Sequence, residues 1–281
     1  MIDRALTAMR QAAAAAGRLM RAGLGDARQV DHKGRYDLVT DVDRACEQAI
    51  LEILRPAVPE AAVLAEESAA DSDPDGALVW VIDPLDGTTN YTHGYPAFCC
   101  SLALRQQGQT LAGLVYNPLL DERFEAVRGQ GAHCNDAPIR VSRTSELSQA
   151  LLATGFPYDR CERADTNLDR FAALTMRTRG VRRGGSAALD LCHVACGRLD
   201  GYWELGTKPW DVAAGALLVR EAGGTLSRSD GAPFDGTGSD TCASNGRLHR
   251  ALLASLAEPL PSAARGPTAT MRRSGSAGPA S

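Results

Sequence analysis

Apolar residues recur at helical spacing from the first positions of the chain: Ile2, Leu6, Met9, Ala13, Ala16 and Met20 form a single stripe. The spacing predicts an opening amphipathic helix that packs this stripe on the rest of the molecule. A second helix is predicted after Thr40, which stands three residues before Asp43 as in a capping box; it runs through Val42, Cys46, Ala49, Ile50 and Ile53 to Pro56. Then the period changes. Residues 62–65 and 78–82 are short apolar runs that end in acids, Glu66-Glu67 and Asp83, as buried central strands delivering carboxylates would. Between 98 and 128, β-favouring runs at 99–104, 111–116 and 123–127 are separated by Gly108, Asn117-Pro118 and Gly129, which predicts an antiparallel meander. Beyond Arg183, residues 187–195 read as helix, 201–205 as extended chain, and 210–222 as a helix stopped by Gly223-Gly224. The result is a mixed α-β (α+β) chain. Residues 261–281 are rich in Ser, Pro, Gly, Ala and Arg without periodicity, so a disordered tail is expected after one domain spanning 1–260.

Composition narrows the function classes. The chain has 281 residues, 44% hydrophobic and 23% charged, with a net charge of −4, which excludes disorder throughout and allows an enzyme-sized core. Lys33 and Lys208 are its only lysines, acids outnumber bases, and no Arg-rich stripe is interleaved with aromatics. No nucleic-acid partner is expected. Asp3, Arg4 and Arg10 interrupt the first twenty residues, and no segment reaches membrane-spanning length, so neither a leader nor a membrane partner is expected. None of the eight cysteines forms a Cys-x-x-Cys pair; buried thiols in a reducing cytoplasm fit best.

The most informative segment is Trp80-Val-Ile-Asp83-Pro84-Leu85-Asp86-Gly87-Thr88-Thr89-Asn90. Pro84 and Gly87 predict a sharp turn that aims two carboxylates at one point while the Gly87 and Thr88 N–H groups open toward an anion. Read blandly, it is an Asp-Gly turn and a helix cap. Glu66 and Glu67 follow an apolar run, and Asp211 lies just inside a helix starting near Pro209. Asp211 and Asp43 each have a bland role too, complementing a helix dipole. A cluster of Glu66, Asp83, Asp86 and Asp211 needs counter-charge, because like charges ~4 Å apart repel by ~4 kcal/mol at an effective dielectric of ~20. All-oxygen ligands suit Mg²⁺ or Mn²⁺, and a pair of such ions is suited to phosphate-ester hydrolysis.

These residues resemble the inositol monophosphatases, within the lithium-sensitive Mg²⁺-dependent phosphatases. The resemblance spans most of residues 33–224 and is carried by Asp37-Leu-Val-Thr-Asp-Val-Asp43, Ala65-Glu-Glu-Ser68, Trp80 to Asn90, Gly184-Gly-Ser-Ala187, Trp203-Glu-Leu-Gly206 and Trp210-Asp-Val-Ala-Ala-Gly215. It implies a layered sandwich of alternating helices and sheets, a homodimer, and two to three Mg²⁺ ions per site. Glu66, Asp83 and the Leu85 carbonyl would hold the first ion, Asp83, Asp86 and Asp211 the second, and Glu66 would share a weaker third. Asp43 and Thr88 would orient and deprotonate the attacking water, with Glu66 completing the catalytic set. The Gly87 and Thr88 N–H groups would grip phosphate. Gly185, Ala187 and Glu204, with Asp86 and Asp211, would contact a polyol phosphate, and Lys33 would be an electrostatic partner of the metals. One departure is Asp41, an extra acid beside Asp43; position favours Asp43.

The activity implied is hydrolysis of myo-inositol 1-phosphate by a metal-activated water, without a phosphoenzyme. Fructose 1,6-bisphosphate and histidinol phosphate are alternative substrates, the 158–180 segment and Glu204 being where such differences would lie; Thr89 argues against phosphoadenosine phosphate. A regulatory binding protein that keeps the fold is the alternative from another class, with the arginines of the tail (Arg265, Arg272, Arg273) as its candidate contact. A haloacid-dehalogenase-like site needs two aspartates two residues apart, whereas Asp83 and Asp86 are three apart. Cys134 and Cys192 both begin Cys-x₅-Arg patterns, and two hits in one chain show how weak that pattern is; Cys192 and Cys196, four apart in a helical run, read as helix-packing thiols. Cys99 and Cys100 point to opposite strand faces and cannot easily share a metal. His193 reads as a surface or capped histidine, and Trp203 and Trp210 as core or interface packing.

Overall fold

The computed structural model describes residues 1–25, 30–32, 38–68, 77–236 and 238–258. Lys33, Asp37 and the 261–281 tail lie outside the described residues. The chain opens with helix α1 (Ile2–Gly23), then a two-stranded ribbon of β1 (Val30–His32) and β2 (Leu38–Thr40) leads into α2 (Asp41–Ala57). Thr40 and Asp43 form the expected capping box. Strands β3 (Ala62–Ala65) and β4 (Val79–Asp86) pair in parallel. After the short helix α3 (Thr88–Thr92), the meander follows as β5 (Cys99–Gln106), β6 (Gln109–Asn117) and β7 (Glu122–Val127), extended by β8 (Ala132–Cys134) and β9 (Ala137–Pro138). Together β3 to β9 make a seven-stranded sheet in sequence order.

The second half interleaves strands and helices: β10 (Leu151–Thr154), α4 (Leu168–Arg177), β11 (Gly180–Arg182), α5 (Ala187–Ala195), β12 (Gly201–Leu205), α6 (Pro209–Glu221), β13 (Thr225–Ser227), β14 (Asp240–Ser244) and α7 (His249–Ala257). Its five strands form a mixed sheet in the order β11-β10-β12-β14-β13. The bounds of α5 and β12 coincide with the runs read from the sequence. The 158–180 region, left unassigned there, contains α4, whose Ala173 and Leu174 are buried.

Three apolar clusters show how these elements stack. One face of the seven-stranded sheet, with Trp80, Ile82, Cys100, Leu102 and Leu104, packs on the α1 stripe of Met9, Ala13, Ala16 and Met20 and on Cys46, Ile50 and Leu54 of α2. The opposite face, with Val79, Val81, Cys99, Ala103 and Val115, packs on α5 and α6, which also meet Ala153, Tyr202 and Ala243 of the second sheet. The far face of that second sheet carries Leu152, Trp203 and Cys242 against Leu174 of α4 and Leu252 and Leu256 of α7. The order is therefore helices, sheet, helices, sheet, helices. Cys99 and Cys100 fall in different clusters, as the period of two requires.

No disulfide joins the eight cysteines, all of them among the described residues; Cys46, Cys99, Cys100, Cys192 and Cys242 are buried, whereas Cys134 and Cys196 are half-buried and Cys161 is exposed, against the expectation of buried thiols. His193 departs from its surface reading: it is half-buried, with its ring edge-on to Phe124 at 6.5 Å between centroids. Buried α6 has apolar residues on all sides because sheets cover both of its flanks.

α6 approaches the large sheet closely at Gly113 of β6, where an added Cβ would lie 2.9 Å from the Ala214 Cα. Gly113→Ala is expected to destabilise the fold by about 1–3 kcal/mol through overpacking. Equilibrium urea unfolding of the variant measures this; a midpoint equal to the parent's would show that the layers separate freely there.

Candidate active site

Alternation along β4 decides where its carboxylates go. Val79 and Val81 face α5 and α6, so Asp83, two residues on, enters the same middle layer opposite Ser101 and is 1% exposed. The turn expected at Pro84 does not occur there. The strand continues through Pro84 to Asp86, with a shift in register between Asp83 and Asp86, and the Leu85 N–H donates to Asp83 Oδ1 (3.0 Å). The chain turns only at Gly87, whose φ of 95° favours glycine and whose Cβ would sit 2.8 Å from the Ala97 carbonyl.

Three further carboxylates are held by helix beginnings. Asp86 Oδ2 accepts from Ser186 Oγ (2.6 Å) and the Ala188 N–H (2.8 Å), at the first turn of α5. Asp211, third in α6, accepts on Oδ2 from the Lys208 N–H (2.7 Å). Asp43, third in α2, accepts on Oδ2 from the Thr40 N–H (2.8 Å), while its Oδ1 accepts from Thr88 Oγ1 (3.0 Å). Asp41 is exposed, so Asp43 is the acid of that pair that meets Thr88. Glu66 is registered beside β4 by its N–H, which donates to the Ile82 carbonyl (3.1 Å). Glu204, in β12, accepts on Oε2 from the Tyr202 hydroxyl (2.8 Å). Gly155 makes room for it: a Cβ at 155 would fall 2.0 Å from Glu204 Oε1.

These elements surround a cavity of about 200 Å³ whose walls include Glu66, Asp83, Leu85, Asp86, Gly87, Thr88, Gly185, Ala187, Glu204 and Asp211. Among the described residues, Asp43 is the one expected site residue off the wall; Thr88 connects it to the cavity. Arg183, Lys208, Ser186, Trp210 and Phe156 also line it, and sequence reasoning gave none of them a role in the site; Tyr158 joins them from the start of the 158–180 segment expected to carry substrate differences. Lys208 had a usable signal as one of two lysines, directly before Pro209-Trp210-Asp211. Ser186 had another, an N-cap residue ahead of the apolar run of α5. Phe156 had none, since it arrives through the pairing of β10 with β12. Trp203 is core, its indole N–H donating to Asn167 Oδ1 (2.7 Å), whereas Trp210 both packs on the middle cluster and faces the cavity.

The electrostatics are those of crowded, buried acids. Burial first, then repulsion from Glu66, Asp86, Asp211 and Asp43, pushes Asp83 well above the usual carboxylate range. Asp211 is raised in the same way by burial, Asp86 and Glu66. Asp86 is raised by burial but held back by Ser186, the α5 backbone and the Arg183 guanidinium. Burial lifts Glu204 to about 7, with the Tyr202 hydroxyl and Arg183 opposing. Burial also raises Asp43 against its bonds to Thr40 and Thr88. Among the described residues no three carboxylate, imidazole or thiol groups are already gathered at one coordination point. The case for a cation therefore rests on the donor chemistry: four carboxylates and the wall residue Leu85 offer oxygen only, the ligand set of a hard divalent ion. The alternative thiol site fails, because Cys192 lies fully buried in α5 with its thiol pushed well above its ordinary value by burial.

The model of the inositol monophosphatase family matches residues 1–262. This chain belongs to the inositol monophosphatase family. It is 50% identical to the inositol-1-monophosphatase of Synechocystis sp. over 234 residues, 83% of this chain and 82% of that protein. It is 46% identical to the Nus factor SuhB of Pasteurella multocida over 203 residues, 72% of this chain and 76% of the relative. The solved inositol monophosphatase of Anabaena (Nostoc) sp. superposes with a TM-score of 0.83 at 46% identity, covering 93% of this chain and 97% of that one. The five layers described above are thus the layers of the inositol monophosphatase family. No helix among the described residues is long and apolar enough to cross a membrane.

The raised acids make stability depend on pH. A carboxyl that titrates higher folded than unfolded binds protons preferentially in the folded state, so stability falls as pH rises through the interval, which for Glu204 runs from 4.5 to about 7. With a chelator present, the melting temperature is expected to be higher near about pH 6 than near about pH 8, and Glu204→Gln to flatten the slope. Thermal melts of both proteins across this range measure it; equal slopes would remove Glu204 from the set.

Proposed function

We propose that this chain is a Mg²⁺-dependent phosphomonoesterase that hydrolyses myo-inositol 1-phosphate to inositol and phosphate. The observation that carries the reading is the 3.0 Å hydrogen bond from Thr88 Oγ1 to Asp43 Oδ1 at a cavity walled by Glu66, Asp83, Asp86 and Asp211. Glu66, Asp83 and the Leu85 carbonyl would hold one Mg²⁺, Asp83, Asp86 and Asp211 a second, with Glu66 shared by a weaker third. Bound there, the ions supply Lewis acidity and charge neutralisation for displacement at phosphorus.

The remaining steps belong to the chain's own groups. Thr88 orients the attacking water and passes a proton toward Asp43, whose Oδ1 is already positioned as acceptor. The Gly87 and Thr88 N–H groups bind phosphate oxygens. Glu204 and the backbone of Gly185 and Ala187 take polyol hydroxyls, a contact set suited to a sugar-like ligand. The proposal takes residues 1–260 as one catalytic domain, a reading supported by the family match over 1–262, and extends to a homodimer acting in the cytoplasm.

Phosphate release is to be measured with and without Mg²⁺ from myo-inositol 1-phosphate, fructose 1,6-bisphosphate, histidinol phosphate and phosphoadenosine phosphate. Preference for the inositol ester is the expected result. Release from another ester replaces the substrate and keeps the chemistry; silence from all four, with metal bound, overturns the enzymatic reading in favour of a binding role. Asp83→Asn is expected to lower turnover by more than the roughly 10–100-fold that loss of an outer-shell partner costs; near-normal turnover in the folded variant would remove Asp83 from the ligand set. Mg²⁺ is expected to raise the melting temperature because it binds the folded carboxylate cluster, and differential scanning calorimetry at saturating metal tests this.

A further inference from the structure

At the opposite end of α6 from Asp211 lies a second cavity, of about 160 Å³, walled by Arg105, Arg128 and Arg220. Arg105 is 2% exposed, and carbonyls fix its guanidinium: Nη1 donates to Gly236 (3.1 Å) and Nη2 to Gly108 (2.8 Å). Arg128 donates to Gln109 Oε1, and the Arg220 guanidinium stands 5.5 Å from the centroid of Phe234. Two acids border the cavity and both are engaged elsewhere. Glu221 accepts from the Gly129 and Gly131 N–H groups (2.8 and 2.9 Å), and Asp235 lies 3.9 Å from Arg228. Among the described residues no carboxylate stands within ion-pair distance of Arg128 or Arg220. The floor includes Ala213 and Ala216 of α6, whose small side chains leave the space open.

We propose that this cavity is a binding site for a phosphate-type dianion, separate from the carboxylate-walled cavity. Guanidinium forks match the oxygens of a tetrahedral oxyanion, and a dianion would relieve the repulsion among three cations around one small space. Partial burial first, and the charge of Arg128 second, push the Arg220 guanidinium below its ordinary value. The inference does not depend on the proposed phosphatase reaction.

The test uses the full chain in chelator, so that no metal draws phosphate to the carboxylate-walled cavity, with inorganic phosphate as the probe against chloride at matched ionic strength. Calorimetric titration is expected to show one phosphate per chain, and phosphate to raise the melting temperature by roughly 2–4 °C at several times its dissociation constant. Arg128→Gln/Arg220→Gln, both at exposed positions, is expected to abolish the phosphate effect while melting in chloride within about 2 °C of the parent. Arg220→Gln alone is the second variant should the double one fail to fold, and is expected to weaken binding at least about tenfold, the equivalent of one lost charge-assisted hydrogen bond. No phosphate binding by the parent, a shift matched by chloride, or a shift that survives in the folded variants would each overturn the site.

Discussion

The constraint on which this structure turns is the burial of like charges at the junction between its layers. Asp83, Asp86, Asp211 and Glu66 share one small cavity, and each raises the cost of ionising its neighbours. The fold answers part of that cost locally. Asp43, Asp86 and Asp211 each accept a backbone N–H at the beginning of a helix, α2, α5 and α6 respectively. The site is thus a meeting point of three helix N-termini, where macrodipoles favour negative charge. Helix dipoles contribute up to about 1 kcal/mol each at ordinary sites, less than the ~4 kcal/mol of a single close carboxylate pair, so protons or cations must supply the rest.

Layering is what brings those termini together. α5 and α6 are covered by sheets on both sides, which excludes water from the middle of the molecule and places the end of β4 against the start of two helices. Asp83 belongs to this dry layer only because its parity along β4 matches Val79 and Val81. The register shift after Asp83 keeps the strand going past Pro84 and carries Asp86 far enough to meet Ser186 and Ala188. A turn at Pro84 would have ended the strand before that contact.

The same middle layer leaves opposite chemistry at the two ends of α6. Its first turn contributes Asp211 to a cavity crowded with carboxylates, and its last turn contributes Arg220 to a cavity crowded with guanidinium groups. In both places like charges are brought together by packing elsewhere in the fold, and an ion of the opposite sign would relieve each.

How much of this was legible in the chain depends on the range of the interaction. The α1 stripe, the Thr40–Asp43 capping box, the meander and the bounds of α5 and β12 are set by neighbours a few residues apart, and periodicity exposes them directly. The acids of the site were readable too, because carboxylates at the ends of apolar runs need a reason to be there, and the matching segments resemble one family across most of the chain. Tertiary structure alone decided that Pro84 sits inside a strand, since pairing with β5 outweighed its turn preference. It also decided that Phe156 and Arg183 reach the cavity, and that Asp43 sits behind Thr88 rather than on the wall. Those facts rest on contacts between residues tens of positions apart, and hydrophobic pattern along a chain carries no information about which distant segment will pack beside it.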